Sequence, residues 1–195
     1  MERSDFFSFL DLPRKLNIDM ARLDERYRTL SRQFHPDFFY NATPAERRLS
    51  LERSSYLNDA YRALKDPIKR VEYLLKLEGL APKNEQEASR QVPPALLEEV
   101  FALNEELDEI REQRTSGAPA GSWEPRLERA RLPIEQKRAR HEAELKALAS
   151  EWDALVDDGD DAARQRVLEE LRDRFLERNY INNLLAGIER EMNNA

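Results

Sequence analysis

Residues 19–44 read DMARLDERYRTLSRQFHPDFFYNATP, and they contain a complete helical pattern, an interruption and the start of a second helix. Asp19 is a suitable N-cap for a helix over residues 20–34, in which apolar side chains recur on one face. These side chains are Leu23, Tyr27, Leu30 and Phe34. Pro36 has no amide hydrogen and disfavours helical backbone angles at His35. We therefore expect the first helix to stop at Phe34.

The second helix begins with several capping signals. Thr43 stands at the N-cap, Pro44 at the first helical position and Glu46 at the third, which is the pattern of a capping box. This pattern predicts a helix over residues 44–65. The side chains that should face the first helix are Leu57, Tyr61 and Leu64.

Two shorter helices complete this part of the chain. Asp66 and Pro67 repeat the cap-and-proline signal and open a helix over residues 68–77, which ends before Gly79. A short aromatic helix precedes the hairpin and can close one end of its core. Its apolar residues are Phe6, Phe7, Phe9 and Leu10. Residues 35–43 are then the exposed tip of a helical hairpin.

The tripeptide at this tip, His35, Pro36 and Asp37, has two interpretations. Proline and aspartate are common in turns, so the tripeptide can be only a helix stop. Alternatively, a proline-stiffened tip presents an aspartate carboxylate to a cationic partner and loses little entropy when it binds.

The order of these signals resembles the J-domain of DnaJ-type co-chaperones. The match covers residues 4–77 and includes residues 27–34, the His-Pro-Asp tripeptide and residues 57–64. The resemblance implies docking on a DnaK-type heat-shock ATPase, whose ATP hydrolysis the loop triggers when a client is bound. The chaperone-binding residues that it implies are Arg22, Arg26, Arg28, Gln33, His35, Pro36 and Asp37. For Arg22 and Arg26, an ordinary solvated face is the alternative interpretation.

Three aromatic residues after the tripeptide, Phe38, Phe39 and Tyr40, depart from the family pattern, in which a basic residue commonly follows the aspartate. They either pack back on the domain or add an apolar contact to a partner.

The pattern changes after Gly79. Residues 79–94 are polar and proline-containing, which predicts a linker between a J-domain over residues 1–78 and a second domain over residues 95–195. Three long helical patterns follow, the second of them broken at Pro125 and Pro133, and Thr115–Ser122 should connect the first two. One apolar seam on each pattern predicts an antiparallel three-helix bundle, so the fold class is all-α.

Several apolar residues of the second domain lie away from these seams. Leu97 and Phe101 are about 100° or more from the seam of the first bundle helix and share a face with Glu98 and Glu105. Phe175 lies off the seam of the last helix. Exposed apolar side chains among acids suggest a protein-binding patch, although a wide core stripe or a covering J-domain would also account for them.

A narrower resemblance covers nearly the whole chain. Residues 66–75, Gly79 and residues 97–109 resemble the HscB family, the J-proteins of bacterial iron–sulfur cluster assembly. In that family the C-terminal domain binds the scaffold protein IscU and delivers it to the specialised chaperone HscA. The scaffold-binding residues that the resemblance implies are Leu97, Glu98, Phe101, Glu105 and Phe175. Glu98 and Ala102 depart from the family pattern, which tends to have an apolar and an acidic residue there.

Composition bounds the remaining functions. Residues 1–77 carry 15 Lys and Arg against 12 Asp and Glu, whereas residues 78–195 carry 17 against 27, so the two domains should meet different partners. Nucleic acid is a poor partner for the acidic part. No apolar run approaches the ~18 residues of a membrane helix, and a secretory signal is absent, so we expect a cytoplasmic protein.

Sites for chemistry are not indicated. The chain has no cysteine, two histidines and five glycines, which disfavours a thiol nucleophile, a metal site and a phosphate-binding loop. His141 lies on an apolar seam and is better interpreted as a core-edge residue than as a ligand. We expect no catalytic residue and no cofactor. The main hypothesis is therefore an adaptor; its rivals are a J-protein for another client and an inert helical module, with an enzyme least favoured.

Overall fold

The computed structural model describes residues 5–82, 94–157 and 160–193, of which residues 94–96 are described by their backbone alone. Within these ranges all regular structure is helical, so the predicted all-α class is confirmed. The predicted linker lies mostly outside the described residues. None of the described helices combines the length and apolar content that a bilayer-spanning helix needs.

The described residues form seven α-helices and one short 3-10 helix. The bounds are α1 Phe6–Phe9, α2 Met20–Phe34, the 3-10 helix Pro36–Phe39, α3 Pro44–Lys65, α4 Pro67–Leu77, α5 Pro94–Thr115, α6 Ala120–Leu155 and α7 Asp161–Asn193.

The chain divides into two compact units. Unit 1 contains Met1–Ala81 together with Leu148–Glu169, and unit 2 contains Pro82–Ala147 together with Glu170–Ala195. The end of α6 and the start of α7 thus belong to unit 1, a grouping that sequence analysis did not anticipate. The domain boundaries predicted after residue 78 and before residue 95 stay predictions.

The centre of unit 1 is the antiparallel pair of α2 and α3. Leu23 and Phe34 of α2 are buried, as are Leu57 and Leu64 of α3, so the predicted facing stripes are confirmed. A polar seam runs along the same pair, because Tyr27 and Tyr61 stack at 4.1 Å and both hydroxyls donate hydrogen bonds across it. These bonds are Tyr27 to Asn58 Oδ1 at 2.9 Å and Tyr61 to Asp24 Oδ1 at 2.7 Å. This seam fixes the register of the two helices.

The connection between α1 and α2 is held by two polar side chains, the buried Arg70 and the half-buried Asp153. The Arg70 guanidinium donates to the carbonyl oxygen of Leu16, and Arg70 Nε donates to that of Leu64 at 2.7 Å. Burial lowers the pKa of Arg70, against the opposing effect of the nearby Asp153 carboxylate. Asp153 in turn accepts from the amides of Leu16 at 2.5 Å and Asn17 at 2.8 Å. These two side chains thus satisfy the amide and carbonyl of Leu16 and the amide of Asn17 without regular structure.

Unit 2 is a bundle of segments from α5, α6 and α7, as the sequence predicted. Its core contains Leu103, Leu107, Ile110, Trp123, Leu127, Ile134, Ile181, Leu184, Leu185 and Ile188. Glu191 is nearly buried and is paired with two arginines of α5, Arg111 at 2.7 Å and Arg114 at 3.0 Å.

Two expectations about α6 were wrong. The helix is continuous through Pro125 and Pro133, and it begins at Ala120, so the connection from α5 is shorter than the predicted Thr115–Ser122. A proline inside a helix costs about 3 kcal/mol through the lost hydrogen bond and ring clash. Both prolines are exposed, while Trp123, Leu127 and Ile134 beside them are buried, and this packing outweighs the local preference.

Replacement of Arg70 by methionine should destabilise the chain. Arg70→Met keeps most of the side-chain volume but leaves buried carbonyls without a donor, so we expect the free energy of unfolding in urea to fall by about 3 kcal/mol. The matched control is Arg62→Met, at an exposed position of α3, which should change it by less than about 0.5 kcal/mol. Equal effects of the two variants would show that the Arg70 hydrogen bonds do not hold the connection.

Candidate functional site

The tip loop, residues 35–43, begins where α2 ends. His35 is the C-cap residue of α2 with backbone angles of −64° and 128°, so the predicted stop at Phe34 is confirmed. Pro36 occupies the first position of the 3-10 helix, and the amide of Phe38 donates to the His35 carbonyl at 3.1 Å. The ring of His35 folds over this turn, since its Nδ1 accepts from the Asp37 amide at 3.3 Å. The tip is thus a compact, hydrogen-bonded turn.

Asp37 projects into solvent from this turn. Its side chain is 86% exposed, and its Oδ2 lies 3.5 Å from His35 Nδ1. No lysine or arginine of the described residues forms an ion pair with it. A carboxylate in this state is available to a cation on another molecule, because no ion pair with a lysine or arginine of the described residues has to break first.

The tip loop is anchored at both ends. Ser50 of α3 is 2% exposed, and its hydroxyl donates to the carbonyl of Phe34, the last residue of α2, at 2.8 Å. At the other end the Thr43 amide donates to Glu46 Oε2 at 2.8 Å, and the Glu46 amide donates back to the Thr43 hydroxyl at 3.3 Å. The hydrogen bonds from the Thr43 hydroxyl and amide lower the pKa of Glu46. The predicted capping box is confirmed.

Sequence analysis missed the role of Ser50. Its position carries a signal, because Ser50, Leu57 and Leu64 are spaced by seven residues and share the inward face of α3. A small polar residue in such a stripe predicts a buried hydrogen bond, but its partner, the Phe34 carbonyl, follows only from the tertiary structure.

Two of the arginines implied in chaperone binding make contacts within the chain. Arg22 Nη2 donates to the Asp11 carbonyl at 3.0 Å and lies 3.4 Å from Asp11 Oδ2. Arg26 Nε donates to the Leu10 carbonyl at 3.2 Å, and its Nη2 lies 3.8 Å from Asp11 Oδ2. Asp11 has a φ of 53°, a left-handed conformation that aspartate tolerates better than most residues. Part of the charge of both arginines is therefore offset locally.

The other implied residues of α2 face solvent. Arg28 and Gln33 are exposed. Arg28 has no ion-pair partner in the described part of the chain, so its charge acts outward.

The second candidate surface is on α5 in unit 2. Phe101 is 71% exposed and Leu97 is 37% exposed, and Glu98 and Glu105 are exposed beside them. Leu103 and Leu107 of the same helix are buried in the core. The core stripe of α5 therefore leaves Leu97 and Phe101 outside, as their positions on the helix predicted. Phe175 of α7, the remaining residue of the predicted patch, is half-buried.

Neither histidine is part of a metal cluster. His141 is 3% exposed in unit 2, and its Nε2 lies 2.6 Å from the Arg174 carbonyl oxygen. In the described ranges, no group of three or more metal-ligating side chains comes together.

The chain is similar to known proteins in sequence and in fold. No protein-family model matches the chain. The co-chaperone protein HscB of Proteus mirabilis is 33% identical over 154 residues, which are 78% of this chain and 84% of that protein. The structure of chaperone HscB from Vibrio cholerae has a TM-score of 0.61 and 25% identity, covering 98% of this chain and 99% of its own. Human co-chaperone HscB has the same TM-score and identity over 98% of this chain and 84% of its own.

Removal of the Ser50 hydroxyl should loosen the base of the tip loop. Ser50→Ala leaves the Phe34 carbonyl buried without its donor, so we expect the free energy of unfolding in urea to fall by about 1–3 kcal/mol. Amide hydrogen exchange in residues 35–39 should also accelerate. Ser55→Ala, at an exposed position of α3, is the control and should alter neither measurement. Unchanged exchange in Ser50→Ala would contradict the anchoring role.

Proposed function

The chain belongs to the HscB family of co-chaperones, and on that premise we propose that it stimulates the ATPase of HscA, a DnaK-type heat-shock chaperone, and delivers the iron–sulfur scaffold protein IscU to it. The observation that carries this proposal is the exposed Asp37 carboxylate on a proline-stiffened, doubly anchored tip loop.

The tip loop is suited to act as a trigger. A trigger must reach a partner and must keep its shape when the partner binds, because ordering a flexible loop would consume part of the binding free energy. The 3-10 turn after Pro36 and the Ser50 hydrogen bond satisfy the second condition, and the exposure of Asp37 satisfies the first. We propose that His35, Pro36 and Asp37 contact the ATP-bound chaperone. The Asp37 carboxylate then forms an ion pair with a cationic side chain of the chaperone.

The basic side chains of α2, with Arg28 on one side of the helix and Arg22 and Arg26 on the other, support the same docking. Arg28 is exposed and has no ion-pair partner among the described residues. Arg22 and Arg26 share the Asp11 carboxylate. Gln33 is exposed and offers an uncharged hydrogen-bond donor and acceptor. Such charges attract an acidic partner at long range, and salt weakens the attraction. We propose that the three arginines steer the chaperone and that Gln33 helps to orient it over the tip loop.

The α5 surface is proposed to bind the scaffold. Leu97 and Phe101 supply the apolar contact, and Glu98 and Glu105 beside them supply negative charge for basic groups at its rim. Phe175 is proposed to contribute from α7, where its side chain is half-buried. Glu98 stands where the family usually has an apolar residue, so this patch is more polar than is usual in the family.

One chain that holds both sites can couple the two partners. A scaffold bound on α5 is tethered through the chain to a chaperone docked on the tip loop, which raises the effective concentration of the scaffold at the chaperone. Hydrolysis triggered at that moment would shift the chaperone to a state that holds its client more tightly. The reaction chemistry belongs to the partner ATPase in this scheme, and this chain supplies binding energy and position.

Replacement of Asp37 by asparagine should abolish stimulation. Asp37→Asn removes the charge but keeps the size of the exposed side chain, so we expect chaperone turnover to return to its basal rate while unfolding and scaffold binding stay unchanged. Turnover is measured with purified HscA-type chaperone, with and without scaffold. Asp59→Asn, at an exposed position of α3, is the control. Full stimulation by the Asp37 variant would sink the proposed role of the tip loop.

Truncation of the α5 patch should have the opposite effect. The double variant Leu97→Ala/Phe101→Ala removes two exposed side chains, so we expect scaffold affinity to fall at least about tenfold, with client-free stimulation unchanged. Titration calorimetry with an IscU-type scaffold measures the affinity, and Leu132→Ala, another exposed apolar residue of unit 2, is the control. An unaltered affinity would favour the alternative, a J-protein that serves a different client.

A further inference from the structure

Phe38 and Tyr40 carry the two most exposed large apolar side chains of the described residues. Phe38 is 75% exposed and Tyr40 is 80% exposed, whereas Phe39 between them is half-buried. Single exposed apolar side chains are common on protein surfaces, but two aromatic rings on one short loop present a large apolar area. ATPase stimulation through Asp37 does not account for them.

The backbone beneath these rings is held by local hydrogen bonds. The Phe38 amide donates to the His35 carbonyl at 3.1 Å, and the Ala42 amide donates to the Phe39 carbonyl at 3.1 Å. An aromatic side chain has only two rotatable bonds. Burial of Phe38 or Tyr40 by a partner would therefore immobilise few degrees of freedom, which favours contact.

The Phe38 ring is also continuous with the groups proposed to touch the chaperone. Its centroid lies 6.1 Å from that of the His35 ring, with an angle of 72° between the ring planes. Asp37 Oδ2 lies 3.5 Å from Nδ1 of the same histidine. A partner surface that covers His35 and reaches Asp37 would therefore also cover part of Phe38.

We propose that Phe38 and Tyr40 form an apolar extension of the chaperone-docking site, an inference that rests on the proposed function. The surface of the ATP-bound chaperone that contacts the two rings is then apolar, and it lies next to the cationic side chain that pairs with Asp37. Salt screens the steering by charged groups but not the burial of apolar area. Docking of this chain should therefore retain much of its strength at salt concentrations that remove the contribution of the arginines.

The test uses the full chain and purified chaperone in ATPase titrations at about 0.05 M and about 0.5 M salt. For the double variant Phe38→Ala/Tyr40→Ala we expect the co-chaperone concentration at half-maximal stimulation to rise at least about tenfold, with the maximal rate unchanged. The rise should persist at the higher salt concentration. Leu132→Ala, an exposed apolar position in unit 2, is the control and should match the wild type.

Two further variants separate apolar contact from loop shape. Phe38→Leu/Tyr40→Phe keeps the apolar area and should restore docking to within about threefold of the wild type, whereas Phe38→Gln/Tyr40→Gln keeps bulk without apolarity and should dock as weakly as the alanine pair. Recovery of docking by the glutamine pair would overturn the proposal.

Other outcomes separate this proposal from the proposed function. If the alanine pair docks like the wild type while Asp37→Asn abolishes stimulation, the proposal that Phe38 and Tyr40 extend the docking site is wrong. The proposed stimulation of the ATPase through Asp37 is then retained. If stimulation survives Asp37→Asn, the proposed function fails and this inference fails with it. If sedimentation shows that the rings join two copies of this chain and docking is unchanged in the alanine pair, the rings belong to a self-association surface and the proposal is overturned.

Discussion

The constraint on which the hairpin depends is the end of α2 that Pro36 imposes. Because proline lacks an amide hydrogen and its ring restricts the residue before it, His35 leaves the helix with extended backbone angles. The chain then reverses within the tip loop, and α3 returns along α2. At the end of α2, the Ser50 hydroxyl donates a hydrogen bond to the Phe34 carbonyl, which would otherwise be buried without a donor. The proline and the Ser50 hydrogen bond thus fix where α2 ends and the tip loop begins, and the capping box at Thr43 holds the other end of the loop.

The two candidate surfaces use different physical chemistry. The tip loop presents a carboxylate, and the neighbouring helix α2 presents the exposed Arg28. The attraction of these charges for a partner acts at long range and is screened by salt. The α5 surface presents Leu97 and Phe101, whose contribution requires close contact and the removal of water. If the aromatic pair after Asp37 acts as we propose, the tip loop combines both kinds of contact. Partners that differ in charge and apolarity can then be bound by one small chain without competition for the same surface.

Much of unit 1 could be predicted because its signals are local. Asp19, Thr43 and Asp66 each cap a helix as their positions indicated, and the spacing of apolar residues identified the facing sides of α2 and α3. The same approach was wrong for α6, where Pro125 and Pro133 indicated breaks. A propensity is a local free energy of a few kcal/mol, and the burial of Trp123 and Ile134 in the bundle core outweighs it.

Helix ends, the exposed tripeptide and the off-seam residues of α5 follow from the order of amino acids, since caps, prolines and helical periodicity act over a few residues. The hydrogen-bond partners of buried polar groups do not follow from it. Arg70 meets the Leu16 carbonyl, and Asp153 meets the amides of Leu16 and Asn17, across separations of more than fifty residues. Such pairings depend on which segments pack together, and only the folded chain decides that.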